Sequence, residues 1–125
     1  MKLSVFFKPA FFLTIMMCAQ VQPAVANEDL VLRYQPIIDL RNGKVRCVEV
    51  LTRWPEDSEI TIEANEFIPM IEELGLMSRV GEWALERAAT ELKDLTASTP
   101  ASCDPKFYLG FNVAGSQLNL SLIHI

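Results

Sequence analysis

The chain has 125 residues, half of them apolar, and a formal net charge of -5. That composition suits one small globular domain, or part of a larger one, and excludes a disordered tail. The acidic balance argues against a nucleic-acid duplex as partner, because a duplex binder carries a surplus of Lys and Arg to displace counterions.

The first stretch, "MKLSVFFKPAFFLTIMMCAQVQPAVA", has lysines at Lys2 and Lys8, an apolar run from Pro9 to Cys18 and a small-x-small ending at Ala24-Val25-Ala26. This is the pattern of a secretory signal peptide over residues 1–26, cut after Ala26. Its apolar run is shorter than the roughly 20 residues that a membrane span needs. Cys18 does not turn it into a lipoprotein leader, because Met17 is bulky where lipid attachment wants a small residue. Loss of Lys2 and Lys8 with the leader lowers the net charge of -5 by two, to -7. The pattern places the mature protein in the periplasm, or in the cytoplasm if the true start codon lies nearer Asn27. Two cysteines then remain, Cys47 and Cys103; two do not make a disulfide framework, and Cys47 in a strand pattern reads as a buried thiol.

"DLVLRYQPIIDL" is β-branched and aromatic, and the Asn42-Gly43 pair that follows is a strong two-residue hairpin signal. A second strand, Val45 to Trp54, should return antiparallel to the first. After the loop "PEDSEITIEANE" a short helix from Phe67 to Leu74 places Phe67, Met70, Ile71 and Leu74 on one face, with Pro69 in its first turn and Gly75 at its stop. A longer helix from Ser78 to Leu95 repeats Val80, Ala84, Ala88 and Leu92 at four-residue steps, and carries Glu82, Glu86, Lys93 and Asp94 on its outer side. "KFYLGFNVAGSQL" begins as a third strand. Strand, strand, helix, helix, strand favours an α/β fold. The final "LSLIHI", residues 120–125, is what the codons CTG TCT CTT ATA CAC ATC encode, which is the end of a transposon adapter used to build sequencing libraries. These residues, with the chain's only histidine, His124, are therefore read as a non-native tail on a truncated frame.

In the second strand Cys47, Glu49, Leu51 and Arg53 point to one face, and Val48, Val50, Thr52 and Trp54 to the other. The second face suits packing under helices; the first holds an acid and a cation about 13 Å apart along the strand, too far for a direct pair. A carboxylate inside a sheet is costly unless a charge or a metal offsets it. Two readings follow: Glu49 salt-bridged to an arginine on another strand, or Glu49 as a metal ligand at a barrel mouth with Arg53 binding phosphate. Oxygen ligands and phosphate together favour Mg2+ or Mn2+. Asn112 ends an apolar run where an amide oxygen can ligate a hard cation, although asparagine also forms turns and caps. The absence of a native histidine argues against Ser-His hydrolysis and His-rich zinc sites in this segment.

"LRYQPIIDLRNGKVRCVEVLTRW", "FIPMIEELGLMSRVGEWALERA" and "FNVAGSQL" together resemble the first part of the EAL domain, the bacterial cyclic di-GMP phosphodiesterase family, from about Asp29 to Leu118. The resemblance implies a domain portion over residues 27–119, the N-terminal part of a TIM-like (β/α)8 barrel with an antiparallel first strand. It implies that Glu49 and Asn112 ligate Mg2+ or Mn2+, and that Gln35, Leu51 and Arg53 contact cyclic di-GMP. The implied reaction of the full-length protein is hydrolysis of cyclic di-GMP to linear pGpG; the family's catalytic glutamate and remaining metal ligands fall beyond this segment, which itself should be inactive. The alternative is a non-catalytic EAL-like module that binds cyclic di-GMP or a protein. Family members often form homodimers. Val50 in place of the motif alanine and Ala114 in place of the common serine depart from the pattern; Val50 points away from the site.

Overall fold

The first two strands pair across the turn that joins them, with a one-residue register shift between Ile37 and Ile38. The computed structural model of the protein describes residues 9–93 and 101–112, with side chains from residue 14 onward. Its elements are helix α1 (Pro9–Ala26), strands β1 (Val31–Asp39) and β2 (Lys44–Arg53), helices α2 (Ala64–Glu73) and α3 (Met77–Glu91), and strand β3 (Cys103–Phe111). The strands form one sheet in the order β1-β2-β3, with β1 antiparallel and β3 parallel to β2. Pro36, which cannot donate to a ladder, sits in β1 at the sheet's edge. The expected α/β character is present.

The hairpin differs from the two-residue turn that Asn42-Gly43 suggests. The loop has four residues, 40 to 43, and the Asp39 carbonyl accepts from the N–H groups of Asn42 at 3.3 Å and Gly43 at 2.8 Å. Of the pair only Gly43 takes a positive φ, 70°, whereas the two-residue turn needs both central residues there. Arg41 holds the wider loop closed: its N–H, Nε and Nη2 all donate to the Asp39 carboxylate, at 3.0, 3.0 and 2.7 Å. Those bonds keep the Asp39 carboxyl well below the usual carboxylate range.

Helix α2 begins three residues earlier than its apolar pattern suggests, so Pro69 lies past the first turn rather than in it. At the helix entry the Glu63 N–H donates to the Glu66 carboxylate at 3.1 Å. Gly75, at φ 69°, ends it: Gly75 N–H donates to Glu72 O at 3.0 Å and Leu76 N–H to Ile71 O at 2.9 Å, the paired bonds of a Schellman stop. Phe67 and Ile71 are fully buried, while Leu74 is exposed at the cap. Helix α3 buries Val80, Ala84 and Ala88 as the four-residue steps require, and Glu82 and Glu86 stay in solvent. Leu95 and Asp94 fall outside the described residues.

The apolar residues gather in two clusters. One joins Val21, Ala24 and Val25 of α1 to Leu30, Trp54, Ile62, Phe67, Ile71 and Val80, with Trp54 and Phe67 ring centroids 5.8 Å apart. The other packs Leu32 and Val50 of the sheet against Ala84 and Ala88 of α3, flanked by Tyr34, Trp83, Leu109 and Phe111. The small alanines of α3 leave space for Val50, which faces the helices as its strand position requires. Cys47 and Cys103 are both buried and free.

Phe67→Ala should therefore cost about 3–5 kcal/mol, and Leu85→Ala, at an exposed position, under about 0.5 kcal/mol, both read from the midpoint of urea unfolding. Asp39 has a depressed folded pKa, so its turn contributes stability above the unfolded carboxyl pKa and loses it as pH falls through the folded one. Asp39→Asn should lower the unfolding midpoint at neutral pH, and the gap from wild type should close in strong acid.

Candidate functional site

Strand register brings the predicted site residues onto one side of the sheet. Gln35 of β1 lies directly opposite Glu49 of β2, Arg33 opposite Leu51, and Val31 opposite Arg53. On the other side Glu49 is paired with Gly110 of β3. Partners across a ladder share a face, so Gln35, Glu49, Leu51 and Arg53 all lie on the face away from α3, whose partners are Leu32 and Val50.

Asn112 follows the last residue of β3, and its side-chain amide donates from Nδ2 to Glu49 Oε1 at 2.9 Å. Residues 63 positions apart thus meet because β3 lies parallel to β2 and ends level with it. Glu49 is half-buried, Gln35 and Asn112 are exposed, and Leu51 and Arg53 are intermediate. Arg53 does not reach Glu49; its Nη1 donates to the Thr52 carbonyl at 2.9 Å. The alternative of a salt bridge from Glu49 to an arginine of another strand is not formed among the described residues: Arg33, the nearest such candidate in register, pairs with Glu56 instead.

Gly110 is a site feature that the sequence pattern did not single out, although it stands two residues before Asn112 and so shares its face. A methyl group there would meet Cys47 Sγ at 3.3 Å and the Glu49 Cα at 4.0 Å. Its missing side chain keeps the sheet surface beside Glu49 low. On the opposite face the Tyr34 hydroxyl donates to Glu91 Oε2 at 2.5 Å, and Arg87 Nε donates to Glu91 Oε1 at 2.5 Å. Burial first, and then that bond to a carboxylate, push the Tyr34 phenol far above its ordinary pKa; the same bond, followed by Arg87, pulls Glu91 down. This bridge ties β1 to α3 one residue from Gln35. No spacing rule points to it, since its ends are 57 residues apart.

The donors fit a hard divalent cation. A carboxylate and an amide are the oxygen-donor types that Mg2+ or Mn2+ takes, and here the two stand 2.9 Å apart, joined by an ordinary hydrogen bond. Rotation of the Asn112 amide, whose O and N are assigned from hydrogen bonding, would present its oxygen instead. Among the described residues no group of three or more His, Cys, Asp or Glu side chains converges, so these two alone would supply only part of a shell. A depression of about 150 Å³ beside Val25, Glu28, Arg79 and Trp83 contains none of these residues.

Comparison with known proteins matches residues 19–123 to the EAL domain model. The chain belongs to the EAL domain family. MucR of Pseudomonas aeruginosa, a bifunctional diguanylate cyclase/cyclic di-GMP phosphodiesterase, is 34% identical over 73 residues, which is 58% of this chain and 11% of MucR. The probable cyclic di-GMP phosphodiesterase PdeB of Escherichia coli is 39% identical over 57 residues, 46% of this chain and 11% of PdeB. Among solved structures, the cGMP-bound EAL enzyme Bd1971 superposes with a TM-score of 0.73 at 26% identity, covering 90% of this chain and 31% of that one. The MucR phosphodiesterase in complex with c-di-GMP does so at 0.69 and 26%, covering 85% and 41%. The chain spans about a tenth of the length of these curated relatives. The family match is wider at both ends than the 27–119 portion inferred from motifs, and its first residues lie within α1.

Asn112→Asp would set two carboxylates where Glu49 and the amide now touch. Without divalent cation the two adjacent acids should lower the midpoint of urea unfolding relative to wild type. Added Mg2+ should recover that loss, read from the same midpoint.

Proposed function

We propose that the complete protein hydrolyses cyclic di-GMP to linear pGpG with Mg2+ or Mn2+, and that the 125-residue segment alone does not turn over. The observation that carries this reading is the convergence of Glu49 and Asn112 at 2.9 Å on an open sheet face, in a chain of the EAL family. Relatives named as cyclic di-GMP phosphodiesterases support the substrate class.

In this reading Glu49 and Asn112 hold the cation through oxygen donors. When bound, the cation would supply charge stabilisation at the phosphoryl oxygens and ease deprotonation of the attacking water. Arg53, near the C-terminal end of β2, offers the rest of its guanidinium fork to a phosphate, Gln35 hydrogen-bonds the dinucleotide across the ladder from Glu49, and Leu51 gives a nucleotide base an apolar surface. The glutamate that activates water and the other metal ligands come from strands beyond Asn112.

The same reading includes a TIM-like barrel. Ile37, Cys47 and Tyr108 form a row on the site face, and Ile37 is 48% and Tyr108 55% exposed. Further strands curling over that face would cover them, with the site at the C-terminal ends of the parallel strands. A binding module that does not catalyse is the second reading; retention of the Glu49 carboxylate beside Asn112 favours the enzyme, because binding alone does not require that acid.

The complete protein with Mg2+ or Mn2+ should release pGpG, followed by nucleotide chromatography. Glu49→Gln should lower the rate roughly 100-fold or more, and Arg53→Ala should raise KM by roughly tenfold or more, the loss of one charge-assisted hydrogen bond. Binding without hydrolysis by the unaltered protein would replace the enzyme reading with the second one.

A further inference from the structure

The segment with leader composition is also a load of core residues. Val21 is 1% exposed, and with Ala24 and Val25 it packs among Leu30, Trp54, Ile62, Phe67, Ile71 and Val80, with Met17 alongside. Gln20, Gln22 and Pro23 face solvent. A sequence with the pattern of an apolar leader thus folds as a helix whose buried side completes the cluster under α2 and α3.

The bond that a leader peptidase would cut, Ala26–Asn27, lies inside the stop signal of that helix. Asn27 N–H donates to Pro23 O at 2.8 Å, Glu28 N–H to Val25 O at 3.4 Å and Asp29 N–H to Ala24 O at 2.9 Å. These bonds bridge the cut position, and the last two form a Schellman motif with Glu28 in the left-handed position, φ 59°. From α3, Arg79 Nη2 donates to the Ala26 carbonyl at 3.3 Å. Ala24, whose small side chain the peptidase would have to read, is itself buried. Proteolysis needs weakly held backbone; residues 26–29 are exposed, but their backbone closes a helix end, is bonded across the cut position and is anchored from a second element.

We propose that residues 17–26 are a working part of the folded domain, and that docking of α1 closes the cleavage site at Ala26–Asn27. Folding and leader processing are then mutually exclusive. A chain that folds first keeps α1 and stays in the compartment where it folded, and a chain cut after Ala26 leaves Trp54, Phe67 and Ile71 without the cover of Val21, Ala24 and Val25. The family match beginning at residue 19 places the last eight residues of this helix within the domain.

The test uses the protein in its complete reading frame, produced from its own start with a C-terminal tag. Intact mass of the soluble cytoplasmic fraction should include the residues before Asn27; a soluble, folded product beginning at Asn27 would overturn the proposal. Limited proteolysis should then cut Val21→Asp between residues 17 and 29 at least about tenfold faster than wild type, and the solvent-facing Gln22→Asp at the wild-type rate, since cleavage follows the population of the open form. Should Val21→Asp yield no soluble protein, the milder Val21→Ala is decisive: faster cleavage than Gln22→Asp supports the docked helix, and an equal rate overturns it.

Discussion

Everything in the fold that matters for the site depends on the two-residue alternation of β2, the strand that among the described residues is paired on both sides. Its even-numbered residues Val48 and Val50 are buried, and Val50 packs on α3. Its odd-numbered residues Glu49, Leu51 and Arg53 are held on the opposite face by the same pairing. A slip of one residue would send Glu49 under α3 and Val50 into the site. Such a slip would bury an ionised carboxylate against alanines, and that cost makes the register strongly specified. The site geometry is therefore a by-product of packing on the other side of the sheet.

Two features protect that register from its ends. At the hairpin, Arg41 closes on Asp39 and fixes where β1 turns into β2. At the far side, Tyr34 is tied through Glu91 to Arg87 on α3, so β1 cannot slide along β2 without breaking a charged bridge. Both lie on exposed or partly exposed groups, where ion pairs add little to global stability. Their effect is positional: they keep Gln35 opposite Glu49.

Much of this was legible in the residues. Alternation in "CVEVLTRW" assigned Glu49 to the face away from the helices, four-residue steps in α3 marked Val80, Ala84 and Ala88, and Gly75 marked the end of α2. The hairpin was not, because Asn42-Gly43 is a local signal and the Arg41 to Asp39 bonds that widened the loop are a competing one. Nor was Gly110, which matters through the room it leaves rather than through a group it carries. The packing of α1 was hidden for a deeper reason. Ala and Val at 24 to 26 serve equally as a small-x-small cleavage pattern and as the close-packed side of a helix, and composition does not separate the two uses.

The environment of Glu49 explains how one strand can hold an acid without a cation of its own. The carboxylate is half-buried and meets a neutral amide, so it is partly satisfied without being neutralised. A salt bridge to Arg33 would have neutralised it and occupied the oxygens, yet Arg33 is drawn outward to Glu56. Arg53, two positions from Leu51 and on the same face, is turned to the Thr52 carbonyl. The sheet thus keeps its positive groups off the acid and leaves negative charge beside an amide that can rotate to offer a second oxygen. That arrangement stabilises little by itself; in the proposed reading a hard cation, held together with ligands from further strands, would offset the charge.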